Sequence, residues 1–336
     1  MKRECSLTNG CNERRRRSFW AGVVLGCILW LAGPLAGAQE TSRAGQTIQV
    51  DVNRVSVGVV VTDAGGKFVE GLQRDNFHIF DNGEERAITE FATVEAPAQV
   101  LLLVEAGPSV YFLKDVHLVA ADGLLKGLST DDRVAITWYA EAPRTILNFT
   151  TEKNAAQRAL EEIRFNLGFG ELNLAASLNA VMDWLASVPG KKTVVLVSTG
   201  VDTSLAEVQN ALLGRLRTGD VRVLGVSISG PMRAAPKEKK NKNQPVLVAQ
   251  GGFDEADAWL KAIAEATGGR AFFPENAKAF EETYKQVAEI VRHEYSLAFA
   301  PAVLDGAAHE VVVKVDAGAG LRVDHRKGYL ARAVEK

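Results

Sequence analysis

The chain has five histidines, three cysteines and two short glycine-containing stretches as its obvious chemical resources. His78, His117, His293, His309 and His325 are scattered, and no pair of them has the spacing of metal ligands. His293-Glu294 lacks the second histidine that a zinc-protease helix requires. Gly225-Val226-Ser227-Ile228-Ser229 approaches a nucleophile elbow, but its fifth position is serine, and the segment reads as a continuing strand. Gly168-Phe169-Gly170 has no third glycine and no acidic partner downstream, so a dinucleotide fingerprint is excluded. A phosphate-cradling Gly-x-x-x-x-Gly-Lys is absent. Nothing assembles a nucleophile, a base and an orienting acid, so the expected function is not enzymatic.

All three cysteines (Cys5, Cys11, Cys27) lie within the first 38 residues, so the remainder has neither disulfide nor thiol chemistry. That leading stretch has the form of an export signal. Arg14 to Arg17 precede an uncharged run over 18–36, and Ala36-Gly37-Ala38 supplies a small-x-small cleavage site. The expected mature chain starts at Gln39, exported to the periplasm or secreted. An uncleaved membrane anchor is the alternative, and Gly33, Pro34 and Gly37 argue against it. Arg16-Arg17-Ser18-Phe19 also resembles a twin-arginine signal. Val24-Leu25-Gly26-Cys27 resembles a lipoprotein box, but apolar sequence runs on past Cys27. The formal charge of −2 divides into +4 on residues 1–38 and −6 on the rest. A mildly acidic body gives nucleic acid no footing.

The elements behind these residues follow from periodicity. Residues 39–96 form an expected N-terminal β-module: Val50, Val52, Val55, Val57, Val59 and Val61 alternate, and Asp63-Ala64-Gly65-Gly66 is a turn. Asp81-Asn82-Gly83 predicts a hairpin joining 77–80 to 87–91. Over 97–293 the rhythm becomes strand and helix in alternation, the signature of a mostly parallel, doubly wound α/β sheet. Buried strands are expected at 100–104, 133–139, 193–197 and 221–228, with shorter ones at 145–149 and 270–273. Helices are expected over 110–125, where Val110, Leu113, Val116, Leu118, Val119 and Leu124-Leu125 have helix-like spacing, and at 152–165, 174–186, 205–216, 255–266 and 277–291. Residues 231–252, with Lys237, Lys239, Lys240 and Lys242, read as a flexible insertion. Strands return over 294–336 and are expected to complete a small β-sandwich-like module with the N-terminal ones.

Several motifs, taken in order, resemble the von Willebrand factor A-related family described mainly from acidobacteria. They begin with Val59-Val60-Val61-Thr62-Asp63-Ala64-Gly65-Gly66, Asp75-Asn76-Phe77 and Phe80-Asp81-Asn82-Gly83. Asp132-Arg133-Val134-Ala135 follows, then Val195-Leu196-Val197-Ser198-Thr199-Gly200-Val201-Asp202-Thr203-Ser204. Thr267-Gly268-Gly269-Arg270, Tyr295-Ser296-Leu297 and Arg326-Lys327-Gly328-Tyr329 complete the series. The resemblance implies a von Willebrand factor A-like, Rossmann-like fold. In active relatives it also implies a divalent-cation site at the strand ends, built from Asp-x-Ser-x-Ser, a later Thr and a later Asp.

Transferred onto this chain, that site is degenerate. Its first motif reads Glu105-Ala106-Gly107-Pro108-Ser109, so Glu105 adds a methylene, Gly107 has no hydroxyl and Ser109 alone matches. The family's Thr falls on Leu172, beside Asn173, and its second Asp on Thr199. Mg²⁺ needs about six oxygen donors in near-octahedral order. Too few remain, so no cofactor is expected. Asp202 is the one carboxylate placed to substitute, but it reads as the start of the following turn or a helix cap near Ser204. Asp131 and Asp132 read as solvated turn residues. The expected function is therefore a non-enzymatic, exported binding, adhesion or scaffold protein that engages a protein partner of the cell envelope without metal. A metal-dependent adhesion protein with an unorthodox site and an envelope hydrolase with an unrecognised site are the alternatives.

Overall fold

The computed structural model describes residues 54–94, 97–107, 114–163, 171–234 and 250–331. The expected export segment, Ser109, Gly168-Phe169-Gly170 and 235–249 of the expected insertion lie outside the described residues. In chain order come β1 (Val55–Thr62), β2 (Phe77–Asp81), β3 (Glu84–Arg86), β4 (Glu90–Val94) and β5 (Ala98–Glu105). Then follow α1 (Lys114–Gly127), β6 (Arg133–Tyr139), β7 (Pro143–Thr150), α2 (Lys153–Glu161), α3 (Leu174–Leu185) and β8 (Lys191–Ser198). The chain continues with α4 (Ala206–Thr218), β9 (Val221–Ser227), α5 (Ser229–Ala234), α6 (Gln250–Ala266), β10 (Ala271–Phe272) and α7 (Ala277–Arg292). It closes with β11 (Glu294–Phe299), β12 (Ala308–Val315), β13 (Arg322–His325) and β14 (Gly328–Leu330).

Unbroken apolar strands belong between two layers, and here they do. The central sheet runs β10-β9-β8-β5-β6-β7, parallel except for β7 at its edge. Alternate residues of one strand feed different cores. Val100, Leu102 and Val104 join Leu124, Phe280, Tyr284 and Val287 on one face. Leu101 and Leu103 join Leu178, Leu212, Leu260 and Ile263 on the other. This is the doubly wound α/β fold class expected from the sequence. Its strand order reverses between β5 and β8, and at such a switch point a crevice opens beyond the carboxyl ends of the strands.

Two antiparallel sheets, β13-β1-β11-β4 and β14-β12-β2-β3, are built from both ends of the described chain. Val57 lies opposite Leu297, Val61 opposite Val323, and Ile79 opposite Val313. Phe77 packs against Tyr295 with ring centres 5.0 Å apart, closing one sheet on the other.

The expected hairpin joining 77–80 to 87–91 does not form. Asn82 (φ 49°) and Gly83 (φ 85°) make the tight two-residue turn, but it returns the chain only over β3, with Asp81 opposite Glu84. Thr89 then donates from N and Oγ1 to the carbonyl of Ala298, at 2.8 and 3.0 Å, and β4 joins the other sheet beside β11. A second correction concerns 231–252. Both flanks are helical, α6 beginning at Gln250 rather than 255, because Phe253, Ala256 and Leu260 extend the buried stripe of that helix backward. Asp132 is also not solvated. It is buried, and its two oxygens accept from the backbone N–H groups of Ala98 and Ser129, both at 2.7 Å, pinning the start of β5.

The Thr267-Gly268-Gly269-Arg270 segment locks the central sheet to the β-module. Gly268 has φ +68°, and a Cβ there would stand 1.9 Å from the carbonyl carbon of His325. A Cβ on Gly269 would stand 1.9 Å from the Val223 oxygen. Arg270, buried, donates through Nη2 to Asp324 Oδ2 at 2.5 Å and to Thr62 Oγ1 at 2.8 Å. A buried pair of this kind destabilises strongly when one partner is removed. Replacing Gly268 with Ala combines a left-handed backbone with a backbone clash, and is expected to cost about 2–4 kcal/mol. Urea denaturation followed by circular dichroism checks this; an unchanged midpoint would show that the contact contributes nothing to stability.

Candidate functional site

The switch point places the end of β5 beside the end of β8, so Glu105 meets Ser198 and Thr199. On its other side β5 runs next to β6, which sets Tyr139 directly opposite Glu105. The Glu105 side chain turns inward and is wholly buried. Its Oε2 accepts three hydrogen bonds: from Thr199 N at 2.7 Å, Thr199 Oγ1 at 2.8 Å and Ser198 Oγ at 3.0 Å. Tyr139 OH stands 2.8 Å from Ser198 Oγ and 3.4 Å from the same carboxylate oxygen.

Oε1 of Glu105 is also buried and has no hydrogen-bond partner among the described residues. It faces Gly107 and Leu172: a Cβ on Gly107 would meet Leu172 Cδ2 at 3.0 Å and Glu105 Oε1 at 3.4 Å. The isobutyl group of Leu172 thus closes over Gly107.

Burial pushes the Glu105 carboxyl above its ordinary pKa, against the hydrogen bonds from Thr199, Ser198 and Tyr139, which favour the ionised form. Burial and the neighbouring Glu105 push the Tyr139 phenol well up as well, so it acts as a neutral donor.

The other expected site residues have partners of their own. Asp202 Oδ1 accepts from Ser204 N at 3.0 Å, the turn expected of it. Its Oδ2 caps a different helix, accepting from Ala175 N in the first turn of α3 and from Trp259 Nε1 of α6, both at 3.1 Å. Asn173 Oδ1 accepts from Thr203 Oγ1 at 3.1 Å, and Thr203 N donates to the Leu172 carbonyl at 2.8 Å. The loop after β8 is therefore stitched to the loop before α3. Glu105, Gly107, Leu172 and Thr199 come together; Asp202 and Asn173 brace them from behind. Tyr139, Ser198 and Trp259 belong to this edge too, and sequence reasoning missed them. The signal was present for Tyr139, which ends a predicted central strand, and for Ser198, which precedes Thr199.

Ser227 and Ser229 of the near-elbow have hydroxyls 2.9 Å apart, both in reach of Asp257 Oδ1 at 3.2 and 3.1 Å. Asp257 Oδ2 accepts from Arg233 at 2.7 Å. Two histidines are buried in the β-module. His309 bonds Asp81 at 2.9 Å. His325 accepts from Val313 N and donates to the Arg326 carbonyl, and burial pulls its pKa down to about 4, so it stays neutral. Among the described residues, no group of three or more His, Cys, Asp or Glu converges as metal ligands would. No described helix is long and apolar enough to cross a membrane.

No family model matches the chain, and no curated protein does. Solved structures similar to it include an aerotolerance-related membrane protein of Bacteroides fragilis, at 17% identity and TM-score 0.43, with 58% of this chain and 98% of that one covered. The conserved protein BatB of Bacteroides thetaiotaomicron is similar at 15% identity and TM-score 0.44, over the same shares. A von Willebrand factor type A protein of Catenulispora acidiphila is similar at 11% identity and TM-score 0.45, over 85% of this chain and 75% of that one.

A carboxyl whose folded pKa is raised stabilises the protein fully below its unfolded value, and that contribution is lost as pH rises through the folded pKa. Glu105→Gln keeps an acceptor for Thr199 and Ser198 but cannot ionise. It is expected to be at least as stable as the parent at pH 7 and to flatten the decline above pH 5. Glu105→Ala leaves those donors unpaired and is expected to cost about 3 kcal/mol. Urea midpoints measured between pH 4 and pH 8 separate the two; a Gln variant as damaged as the Ala variant would refute this account of the buried acid.

Proposed function

We propose that this chain is an exported, non-enzymatic binding or scaffold protein, which engages a protein partner of the cell envelope at the carboxyl edge of its central sheet without a metal ion. The observation that carries the reading is the inward carboxylate of Glu105. Its Oε2 already accepts from three donors, and its Oε1 lies buried beside Gly107. The residues present do not fit Mg²⁺, which needs about six oxygens at octahedral positions. Thr199 Oγ1 donates its proton to Glu105 and accepts from Val201 N at 3.2 Å. Asp202, the substitute carboxylate, serves three N–H donors instead.

An edge that has replaced oxygen donors with methyl groups suits an apolar contact. Leu205 stands beside it, 72% exposed, on the loop that Thr203 ties to Leu172. A protruding leucine is the kind of anchor that a protein interface desolvates.

Calorimetry of the full chain with Mg²⁺, Ca²⁺ and Mn²⁺ at millimolar concentration is expected to register no binding heat; a saturable signal would establish metal-dependent adhesion instead. Crosslinked capture from envelope extracts is expected to recover a discrete partner with the parent chain. Leu205→Asp should lose that partner by roughly tenfold or more, as for a central apolar anchor, while keeping its urea midpoint. Equal capture by both chains would remove this edge from the interface.

A further inference from the structure

At the opposite end of the central sheet, where β8 and β9 begin, a cavity of about 130 Å³ opens between the sheet and the β-module. It is large enough for several water molecules and hence for a polyatomic ion. Lys191 and Thr193 lie two apart on β8 and share a face, and Arg222 of β9 lies beside Thr193 in register. Three of their polar groups are buried and find no hydrogen-bond partner among the described residues: Lys191 Nζ, Thr193 Oγ1 and Arg222 Nε. Thr193 is 1% exposed and Arg222 is 8% exposed, so these are built positions rather than surface side chains. Buried donors left unpaired are costly, and an ammonium more so than a hydroxyl.

The charge around the cavity is unbalanced in the same sense. Lys191, Lys192, Arg222 and Arg326 face it, against Asp220 and Glu294. Asp220 pairs with Lys192 at 2.6 Å, and Glu294 Oε2 with Arg222 Nη1 at 2.8 Å. Lys191 Nζ pairs with Glu294 only at a longer 3.7 Å, outside hydrogen-bond range, and among the described residues Arg326 donates to the carbonyls of Thr218 and Gly328. Gly58 lies so close to the Glu294 carboxylate that a Cβ would stand 2.5 Å from it, which fixes Glu294 on the side of Arg222.

We infer that this cavity is a binding site for a small dianionic oxyanion of the phosphate class, held by Lys191, Thr193 and Arg222 at the seam between the central sheet and the β-module. A tetrahedral anion presents acceptors in several directions at once, matching three unpaired groups on one face of two adjacent strands, and its two charges match the excess of cations over carboxylates around the cavity. Burial lowers the Lys191 ammonium from its ordinary pKa, with Arg222 adding to the effect and Glu294 opposing it. An anion in the cavity would raise it again. The site is independent of the Glu105 edge, which lies at the other end of the strands.

The test is calorimetric titration of the full chain with inorganic phosphate at ionic strength fixed by NaCl, with glycerol phosphate as a second arm. Saturable one-site binding is expected for phosphate. Lys191→Met should weaken it at least tenfold, and Thr193→Val by roughly three- to tenfold, as for loss of a charged and a neutral hydrogen bond. Lys285→Met, an exposed lysine on α7, should leave it unchanged. If Lys191→Met fails to fold, the near-isosteric Thr193→Val carries the comparison. Binding of glycerol phosphate as well would identify a phosphomonoester or headgroup-like ligand reaching in through the open mouth, and phosphate alone would identify the free ion. No saturable heat in either arm, or equal affinity in parent and Thr193→Val, overturns the inference.

Discussion

Glu105 has no access to solvent, and a carboxyl group in that position must draw its hydrogen bonds from inside the protein. Three donors on two consecutive residues, Ser198 and Thr199, meet that requirement, and Tyr139 completes the cluster from the neighbouring strand. The arrangement couples the ends of β5, β6 and β8, the three strands flanking the switch point. The loops that follow are then constrained in turn: Thr203 holds Leu172 and Asn173, while Asp202 holds the first turn of α3 and Trp259 of α6. An outward carboxylate would have left these loops to be organised by a ligand. An inward one lets the protein organise them itself.

The two ends of the central sheet differ in charge. At the carboxyl end, Oε2 of a buried carboxyl gathers donors from Ser198 and Thr199. At the amino end, Lys191, Thr193 and Arg222 keep polar groups without a partner among the described residues. Between the ends, the β-module is fastened by Arg270 to Asp324, by Gly268 to the backbone at His325, and by Arg222 to Glu294 and Gly58. The seam is thus polar and close-fitting, and the cavity at its mouth is bounded by residues of both parts.

Much of the fold was readable from the chain itself. The unbroken apolar runs at 100–104 and 193–197 admit only strands covered on both faces, and each lies within the strand found there. The Asn82-Gly83 turn was equally plain, because both residues take positive φ and few pairs of residue types do so cheaply. What the turn connects was not plain. Residues 84–94 hold no glycine or proline to say that one strand ends and another, in a different sheet, begins. The start of α6 was hidden by Gly251-Gly252, which read as breakers until the packing of Phe253 shows a helix already under way.

Residue types alone determined that positions 107 and 172 offer no side-chain oxygen, since no folding can give Gly107 or Leu172 a hydroxyl. They also determined that no cysteine chemistry operates beyond residue 38 and that a doubly wound sheet would form. The direction of the Glu105 side chain, the closure of Leu172 over Gly107, and the meeting of Lys191, Arg222 and Glu294 were decided only in three dimensions. Each depends on which distant segments become neighbours, from β1 and β11 to β8 and β9. Local periodicity reports which face of an element is apolar, but it carries no information about which donor from another strand will stand opposite a given carboxylate.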